Sequence, residues 1–117
     1  MSNLLTGNFP YKTYRNINLS TTGQIAKANA GQIFTALLSN TAGSIVYVKL
    51  YDKATAPTSS DTPTHTIPLQ ANQTLPWSSV DGINFTTGIS MRASTGVADN
   101  DNTAPAANQV IVNIEYL

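Results

Sequence analysis

The stretch IVYVKLY, residues 45–51, decides the fold class, because small apolar side chains alternate along it with polar or aromatic ones. Successive side chains of a β-strand point to opposite faces, so Val46, Val48 and Leu50 are predicted to share one buried face. The stretch VIVNIEY, residues 110–116, has the same alternation. Its predicted buried face consists of Val110, Val112, Ile114 and Tyr116. Both stretches indicate half-buried strands of antiparallel sheets.

Six further strand patterns lie between polar turns. They are Arg15–Leu19, Gln24–Lys27, Gln32–Leu38, His65–Leu69, Gly82–Phe85 and Gly88–Ala93. The first two are predicted to pair as a hairpin across a Ser-Thr-Thr-Gly turn. Gln32–Leu38 also fits a helix, but Gly31 before it and the turn residues 40–43 after it favour a buried strand.

The fourth of these patterns, His65–Leu69, contains a proline that limits its place in a sheet. Pro68 lacks the N–H group that a central strand needs, so an edge strand is predicted, and Trp77 falls in the turn that follows. The segments 54–63 and 95–108 are rich in Pro, Ser, Thr, Asn and Asp and are predicted as surface loops.

Seven to eight short strands without a convincing helix predict an all-β fold, an antiparallel β-sandwich of jelly-roll type. An open barrel is the alternative. Residues 1–13, which include Gly7 and Pro10, are predicted to form an extended N-terminal arm. Residues 14–117 are predicted to form a single β-sandwich domain, which is a normal size for one hydrophobic core.

The surface is predicted to be polar but almost uncharged, since the chain has 43 Ser, Thr, Asn and Gln residues and only 12 charged ones, with net charge zero. Such a surface suits a subunit of a permanent assembly better than a free monomer. The six basic residues are scattered, so no nucleic-acid partner is expected. No signal peptide or membrane-spanning stretch is recognisable, and folding in the cytoplasm is expected.

Catalysis has no support in the sequence. His65 is the only histidine and there is no cysteine, so a catalytic triad or a His- or Cys-based metal site lacks its parts. The carboxylates of Asp52, Asp61, Asp81 and Glu115 have no spacing that brings two of them together. The protein is therefore predicted not to be an enzyme and to need no cofactor, and His65 is assigned a structural role.

Two groups of residues are weak candidates for ligand sites. Asp99 and Asp101, in Asp-Asn-Asp-Asn, could ligate a hard cation, but the glycine and glutamate of an EF-hand loop are missing. No metal is therefore predicted. Trp77, Tyr47 and Tyr51 could stack on a sugar ring, although such aromatics more often belong to a core or a subunit contact.

Residues 46–117 resemble small virion proteins of tailed bacteriophages, of the capsid decoration or cement type. The resemblance lies in KLYDKATAPTSSDTPTHTIPL (residues 49–69), DGINFTTGISMRAS (residues 81–94) and the Ala-Asp-Asn-Asp loop at residues 98–101. Residues 1–43 carry no part of it.

The resemblance implies a non-enzymatic protein that is made in the host bacterial cytoplasm and located on the capsid surface of the virion. Its partners would be the major capsid protein and copies of itself, often as a homotrimer, with no membrane involved. Phe9, Tyr11 and Tyr14 are then expected to contact neighbouring subunits. The alternative is a tail, neck or fibre-associated accessory protein with a carbohydrate- or host-binding role, in which Trp77, Tyr47 and Tyr51 would be exposed.

Overall fold

Residues 10–117, which the computed structural model describes, form eight β-strands and no helix. The strands are β1 (Lys12–Asn16), β2 (Gln24–Lys27), β3 (Gly31–Asn40), β4 (Val46–Asp52), β5 (His65–Leu69), β6 (Thr74–Phe85), β7 (Ile89–Ser94) and β8 (Val110–Tyr116). In this part of the chain no helix is long and apolar enough to cross a membrane.

The strands form two four-stranded antiparallel sheets. Sheet 1 has the order β1-β8-β3-β6 and sheet 2 the order β2-β7-β4-β5. The hydrogen-bonded pairs are nested along the chain, because β1 pairs with β8, β2 with β7, β3 with β6 and β4 with β5. The predicted all-β sandwich is confirmed.

The core lies between the two sheets and is built by strand alternation. Val46, Val48 and Leu50 of β4 are at most 1% exposed, while Tyr116, also predicted to face inward, is only half-buried and packs against the core. The other predicted inward residues of β7 and β8 are at most 1% exposed. Those residues are Ile89, Met91, Val110, Val112, Ile114 and Ala93. The period-two pattern correctly identified the inner face of these strands. Alternation fixes this face strongly, because a one-residue shift in register would move the whole apolar set to the outer face.

The predicted hairpin of Arg15–Leu19 and Gln24–Lys27 is wrong, because β1 and β2 belong to different sheets. The segment between them crosses from one sheet to the other. The Leu19 amide donates to the Val110 carbonyl oxygen at 3.1 Å, and the Ala93 amide donates to the Ser20 carbonyl oxygen at 2.8 Å. The Leu19 side chain, 1% exposed, packs into the core at this crossing.

Two further boundaries differ from the prediction. β1 begins at Lys12, so the last two residues of the predicted arm are part of a strand; residues 1–9 lie outside the described residues. Trp77 is not in a turn but in β6, which is one strand of twelve residues interrupted by an irregularity. Ile33 pairs with Ile83 and Thr35 with Ser78, so residues 79–82 bulge out opposite Phe34.

Candidate functional site

The two outer faces of the sandwich differ, because loops cover the centre of one of them and leave the centre of the other open. All six residues of β7 are buried, since one side of the strand faces the core and the other lies under loops. Lys49 of β4 and Arg92 of β7 are direct cross-strand partners on this outer side, and both are completely buried. The centre of the outer face of sheet 2, at β4 and β7, is therefore internal, while Ile25 of β2 and Thr66 of β5, at its edges, are exposed.

Arg92 holds the covering segments in place through hydrogen bonds. Its Nε donates to the Thr21 carbonyl oxygen at 2.9 Å, and Nη1 donates to the Tyr51 hydroxyl at 3.1 Å. Its Nη2 donates to the Asn102 Oδ1 at 2.7 Å and to the Asp101 carbonyl oxygen at 3.3 Å. One guanidinium thus joins the 20–23 turn and the 95–108 loop to sheet 2, using the fixed fork of donors that arginine provides.

Lys49 is the second cation beneath this loop. Its Nζ donates to the carbonyl oxygen of Ala98. Burial lowers the pKa of Lys49 below its ordinary value, while the negative charge of Asp101 acts in the opposite direction. The 95–108 loop therefore lies over two buried cations, and the carboxylate of Asp101 partly compensates their positive charge.

Asp101, one of the two weak metal candidates, uses both carboxylate oxygens for hydrogen bonds within its own loop. Its Oδ2 accepts hydrogen bonds from the amides of Gly96 at 3.0 Å and Thr103 at 3.2 Å, and Oδ1 accepts from the Thr103 hydroxyl at 3.3 Å. The Thr103 amide contributes most to lowering the pKa of this carboxyl. Asp99 is exposed. Residues 10–117 contain no group of three or more His, Cys, Asp or Glu side chains that could hold a metal ion.

The outer face of sheet 1, called the open face below, is not covered by any loop of residues 10–117. Its side chains form rows across the four strands: Thr13, Glu115, Thr35 and Ser78; Arg15, Asn113, Leu37 and Pro76; Ile111, Ser39 and Thr74. These rows contain one positive and one negative side chain, and Leu37 at their centre is 44% exposed. A nearly uncharged face with an apolar centre is suited to contact with another protein surface.

A groove of about 400 Å³ lies at one end of the open face. Its lining residues are Tyr11, Phe34, Thr35, Ser78, Ser79, Val80 and Glu115. The Tyr11 and Phe34 rings meet edge to face, with centroids 5.0 Å apart. Val80, in the bulge of β6, is 97% exposed. The groove is therefore mostly apolar, and its far wall is a valine that residues 10–117 leave uncovered.

The three predicted subunit contacts do not share one surface. Tyr11 lines the groove. Tyr14 lies on the inner side of β1 and packs against the core, where its hydroxyl accepts a hydrogen bond from Asn16 Nδ2 at 3.1 Å. Phe9 lies outside the described residues. Of the two residues that can be placed, only Tyr11 is exposed, at 47%.

The aromatics considered for ligand stacking are also on different surfaces. Tyr51 is 1% exposed on the outer side of sheet 2, and Tyr47 is half-buried on the same side. Trp77 is on the inner side of sheet 1 and packs against the core. Its ring lies 5.8 Å from that of His65, in the predicted edge strand β5. These side chains do not form a shared platform.

Sequence reasoning missed the residues that make the open face distinctive. Leu37 and Leu38 are adjacent, so alternation alone does not tell which of them faces the core. Val80 lies in the polar stretch Ser-Ser-Val-Asp-Gly, which carries no strand periodicity. A lone valine two residues before Gly82 was the available signal, but only the β6 bulge shows that its side chain is exposed.

No protein-family model matches the chain, and no curated protein is significantly similar to it.

Proposed function

We propose that this chain is a non-enzymatic structural protein of a tailed-phage virion that binds the outside of the capsid shell as a decoration or cement protein. The nested strand pairing supports the finer assignment of the sandwich as a jelly roll, in which eight strands form two Greek keys. The proposed partners are the major capsid protein and further copies of this chain. The sequence resemblance indicates this class of protein, and the open face is the proposed binding surface.

The observation that carries the proposal is the difference between the two outer faces. Loops and two buried cations close the centre of the outer face of sheet 2, whereas the central strand β3 of sheet 1 leaves Leu37 exposed among Thr, Ser and Asn side chains. With a net charge of zero, such a face contacts another protein without desolvating many charges. Binding through shape and apolar contact is therefore favoured over electrostatic recognition.

Stabilisation of a shell would follow from mass action. A protein that binds the assembled shell but not its separate subunits lowers the free energy of the assembled state by its own binding free energy. When many copies bind, these contributions add over the shell, and oligomeric copies gain further from multivalency. No catalytic step is required.

The alternative role in a tail, neck or fibre, with carbohydrate or host binding, would need an exposed aromatic platform. Trp77 packs against the core and Tyr51 is buried, so neither is available for stacking on a sugar. This favours the capsid-binding proposal.

Co-sedimentation with phage heads that lack this protein tests the proposal. The full chain should sediment with heads at a fixed ratio to the major capsid protein and raise their resistance to heat. Leu37→Lys, on the open face, should weaken binding about tenfold or more, since it places a charge in a desolvated contact. Thr66→Lys, an exposed strand position of sheet 2, is the matched control and should bind normally. Failure of the wild-type chain to bind heads would refute the proposal.

A further inference from the structure

The two lateral sides of the sandwich differ in how their edge strands are protected. One side is formed by β5 and β6 and the other by β1 and β2, because these are the outermost strands of the two sheets. We propose that β1 is a contact between copies of this chain, in which the β1 strands of two copies pair antiparallel about a two-fold axis. The proposal deepens the proposed function and rests on it, because it names the surface through which copies of the decoration protein meet.

The side formed by β5 and β6 is closed to a further strand. The Asn40 amide donates to the Gln73 carbonyl oxygen at 2.8 Å, and hydrogen-bonded pairs alternate along an antiparallel ladder. The backbone groups of Thr74, Pro76 and Ser78 therefore point away from β3, towards the free edge. Pro76 lacks the N–H group that an added strand would need there, and the other edge strand of this side, β5, also contains a proline.

The hydrogen-bond ladder of β8 shows which backbone groups are left at the opposite edge of sheet 1. The Thr41 amide donates to the Gln109 carbonyl oxygen at 2.9 Å, in register with the pairing of β3 and β8. By alternation, the odd-numbered residues of β8 bond to β3, and its even-numbered residues bond to β1. The free backbone groups of β1 follow from this assignment.

The outer edge of β1 has no such protection. The even-numbered residues of β8 have Lys12, Tyr14 and Asn16 as their partners in β1, so the N–H and C=O groups of Thr13 and Arg15 point to the free edge. Both of these residues are exposed, and neither is a proline. The edge therefore offers two donors and two acceptors in an arrangement that a second strand can use.

A second copy of β1 satisfies all of these groups in one register. When Thr13 of each copy lies opposite Arg15 of the other, each of the two pairs exchanges two backbone hydrogen bonds. Tyr14 then lies opposite Tyr14 of the second copy, on the two-fold axis, and all five residues of β1 are paired. The two tyrosines face each other on the inner side, where an aromatic cross-strand pair adds to the contact.

The charges on the outer side are complementary in this register. Glu115 Oε2 accepts a hydrogen bond from the Thr13 hydroxyl at 2.7 Å, so its carboxylate is turned towards β1. Arg15 of the second copy would lie opposite Thr13, in the same row as Glu115. Its Cα atom would be about 9.6 Å from that of Glu115, a distance that the two side chains span together. Within residues 10–117 the ion pair present is Lys53–Asp61, so Arg15 has no ion pair in its own copy.

Other registers of the same two strands are less favourable. A slide of two residues in one direction places Arg15 directly opposite Arg15, and like charges in that position are destabilising. A slide in the other direction places Thr13 opposite Thr13 and moves Arg15 away from Glu115. Both slides pair fewer residues of β1. A cation on an edge strand ordinarily prevents strand addition, but here it selects one self-complementary register.

The contact is expected to be weak between free copies. Five residues of edge strand supply less than the roughly 800 Å² per partner of a stable interface. Ile17, directly after β1, and Ile25 of β2 are 44% and 39% exposed on this side and add apolar surface. Copies already bound to one shell would meet at a high effective concentration, so the same pairing would then hold neighbours together.

Disulfide cross-linking reads the register directly, because the chain contains no cysteine. Thr13→Cys and Arg15→Cys are introduced into separate proteins that carry tags of different size, and the two are mixed and oxidised. The mixed disulfide dimer should form faster than either homodimer. The Cα atoms of the predicted pair are about 5.5 Å apart, whereas equivalent residues of the two copies are about 8 Å apart, which is too far for a disulfide. Arg15→Cys mixed with Thr66→Cys, at an exposed position of β5, is the matched control and should not cross-link.

Sedimentation of the protein without cysteine substitutions, at concentrations up to about 1 mM, tests the charges. Arg15→Glu should weaken self-association about tenfold or more, and Arg15→Glu/Glu115→Arg should restore it, because opposite charges again share a row. Thr13→Pro should abolish self-association while β1 keeps its bonds to β8, since it removes only an outward N–H group.

Cross-linking of the mixture no faster than of the homodimers, or no rescue by the double variant, would overturn the proposal. Self-association of a folded Thr13→Pro protein at the wild-type level would overturn it too. Each of these measurements uses the protein alone, so failure of capsid binding and failure of strand pairing are read separately.

Discussion

At the scale of single residues, two side chains, Asn40 and Asp52, hold turns by satisfying several backbone groups at once. Asn40 is 1% exposed at the end of β3. Its Nδ2 lies within 3.1 Å of the carbonyl oxygens of Ser44, Leu69 and Gln70, and its Oδ1 accepts from the Ala42 amide at 2.9 Å. A buried amide with both ends engaged fixes the chain reversal between β3 and β4 and ties it to the end of β5.

Asn40→Asp should destabilise the protein by about 3 kcal/mol or more at neutral pH, because a carboxylate oxygen would face three carbonyl oxygens in a buried site. Urea denaturation measures the change. The deficit should shrink as the pH is lowered, since a protonated carboxyl group regains a donor. Asn84→Asp makes the same change at an exposed position and should have little effect. Equal losses in both variants would contradict the role assigned to Asn40.

Asp52 should make folding stability depend on pH. Burial acts to raise the pKa of this carboxyl, but hydrogen bonds from the Thr87 amide, the Thr86 hydroxyl and the Gly88 and Thr86 amides outweigh it and lower the pKa to about 2. A depressed folded-state pKa stabilises the fold above about pH 4, and this stability is lost as the pH falls from about 4 towards 2.

Asp52→Asn should therefore be less stable than the wild type at pH 7 and should lose less stability between about pH 4 and pH 2. Denaturant titrations at a series of pH values measure both effects. Asp81→Asn makes the same substitution at an exposed position of β6, outside this turn, and is the control. A wild-type profile for Asp52→Asn would show that the turn between β6 and β7 does not depend on this carboxylate.

At the scale of elements, the bulge of β6 shapes the groove. Gly82 has φ of 80°, a conformation that residues with side chains rarely adopt, and a Cβ there would lie 2.9 Å from the Phe34 ring. Gly82→Ala should thus cost about 1–3 kcal/mol of folding free energy and displace Phe34. Gly43→Ala is the control, because a Cβ at that position meets nothing within 4 Å. Equal stability of the two variants would show that the bulge tolerates a side chain.

The loops over sheet 2 should depend on Arg92 in the same way. Arg92→Ala removes four hydrogen bonds and leaves a buried cavity, so a loss on the order of 3 kcal/mol is expected. Hydrogen exchange should rise most in residues 95–106 and around Thr21, ahead of β8. Arg15→Ala, on the open face, should change stability by no more than about 0.5 kcal/mol. Uniformly faster exchange across the molecule would contradict a local role for Arg92.

At the scale of the whole molecule, the scarcity of charge has a consequence for binding. Twelve charged residues with net charge zero, of which Lys49 and Arg92 are buried, leave a weak external field. Partner binding should therefore change less than about threefold between about 0.05 and 0.5 M salt, because few exposed charges are available to screen. Binding measured across this range checks the expectation, and a steep salt dependence would point to a charged contact elsewhere on the surface.

The sequence alone was sufficient for the all-β class, the inner faces of β4, β7 and β8 and the edge position of β5, because strand alternation and proline chemistry are local properties. It could not give the pairing of β1 with β8 or the continuity of β6 through its bulge, because these depend on contacts between segments far apart in the chain. Only the tertiary structure decided which outer face is covered. Lys49 and Arg92 read as surface charges in an alternating strand, and the loop that buries them arrives from residues 95–106. The open face, with Leu37 and the groove beside it, is the outer face that no such loop covers.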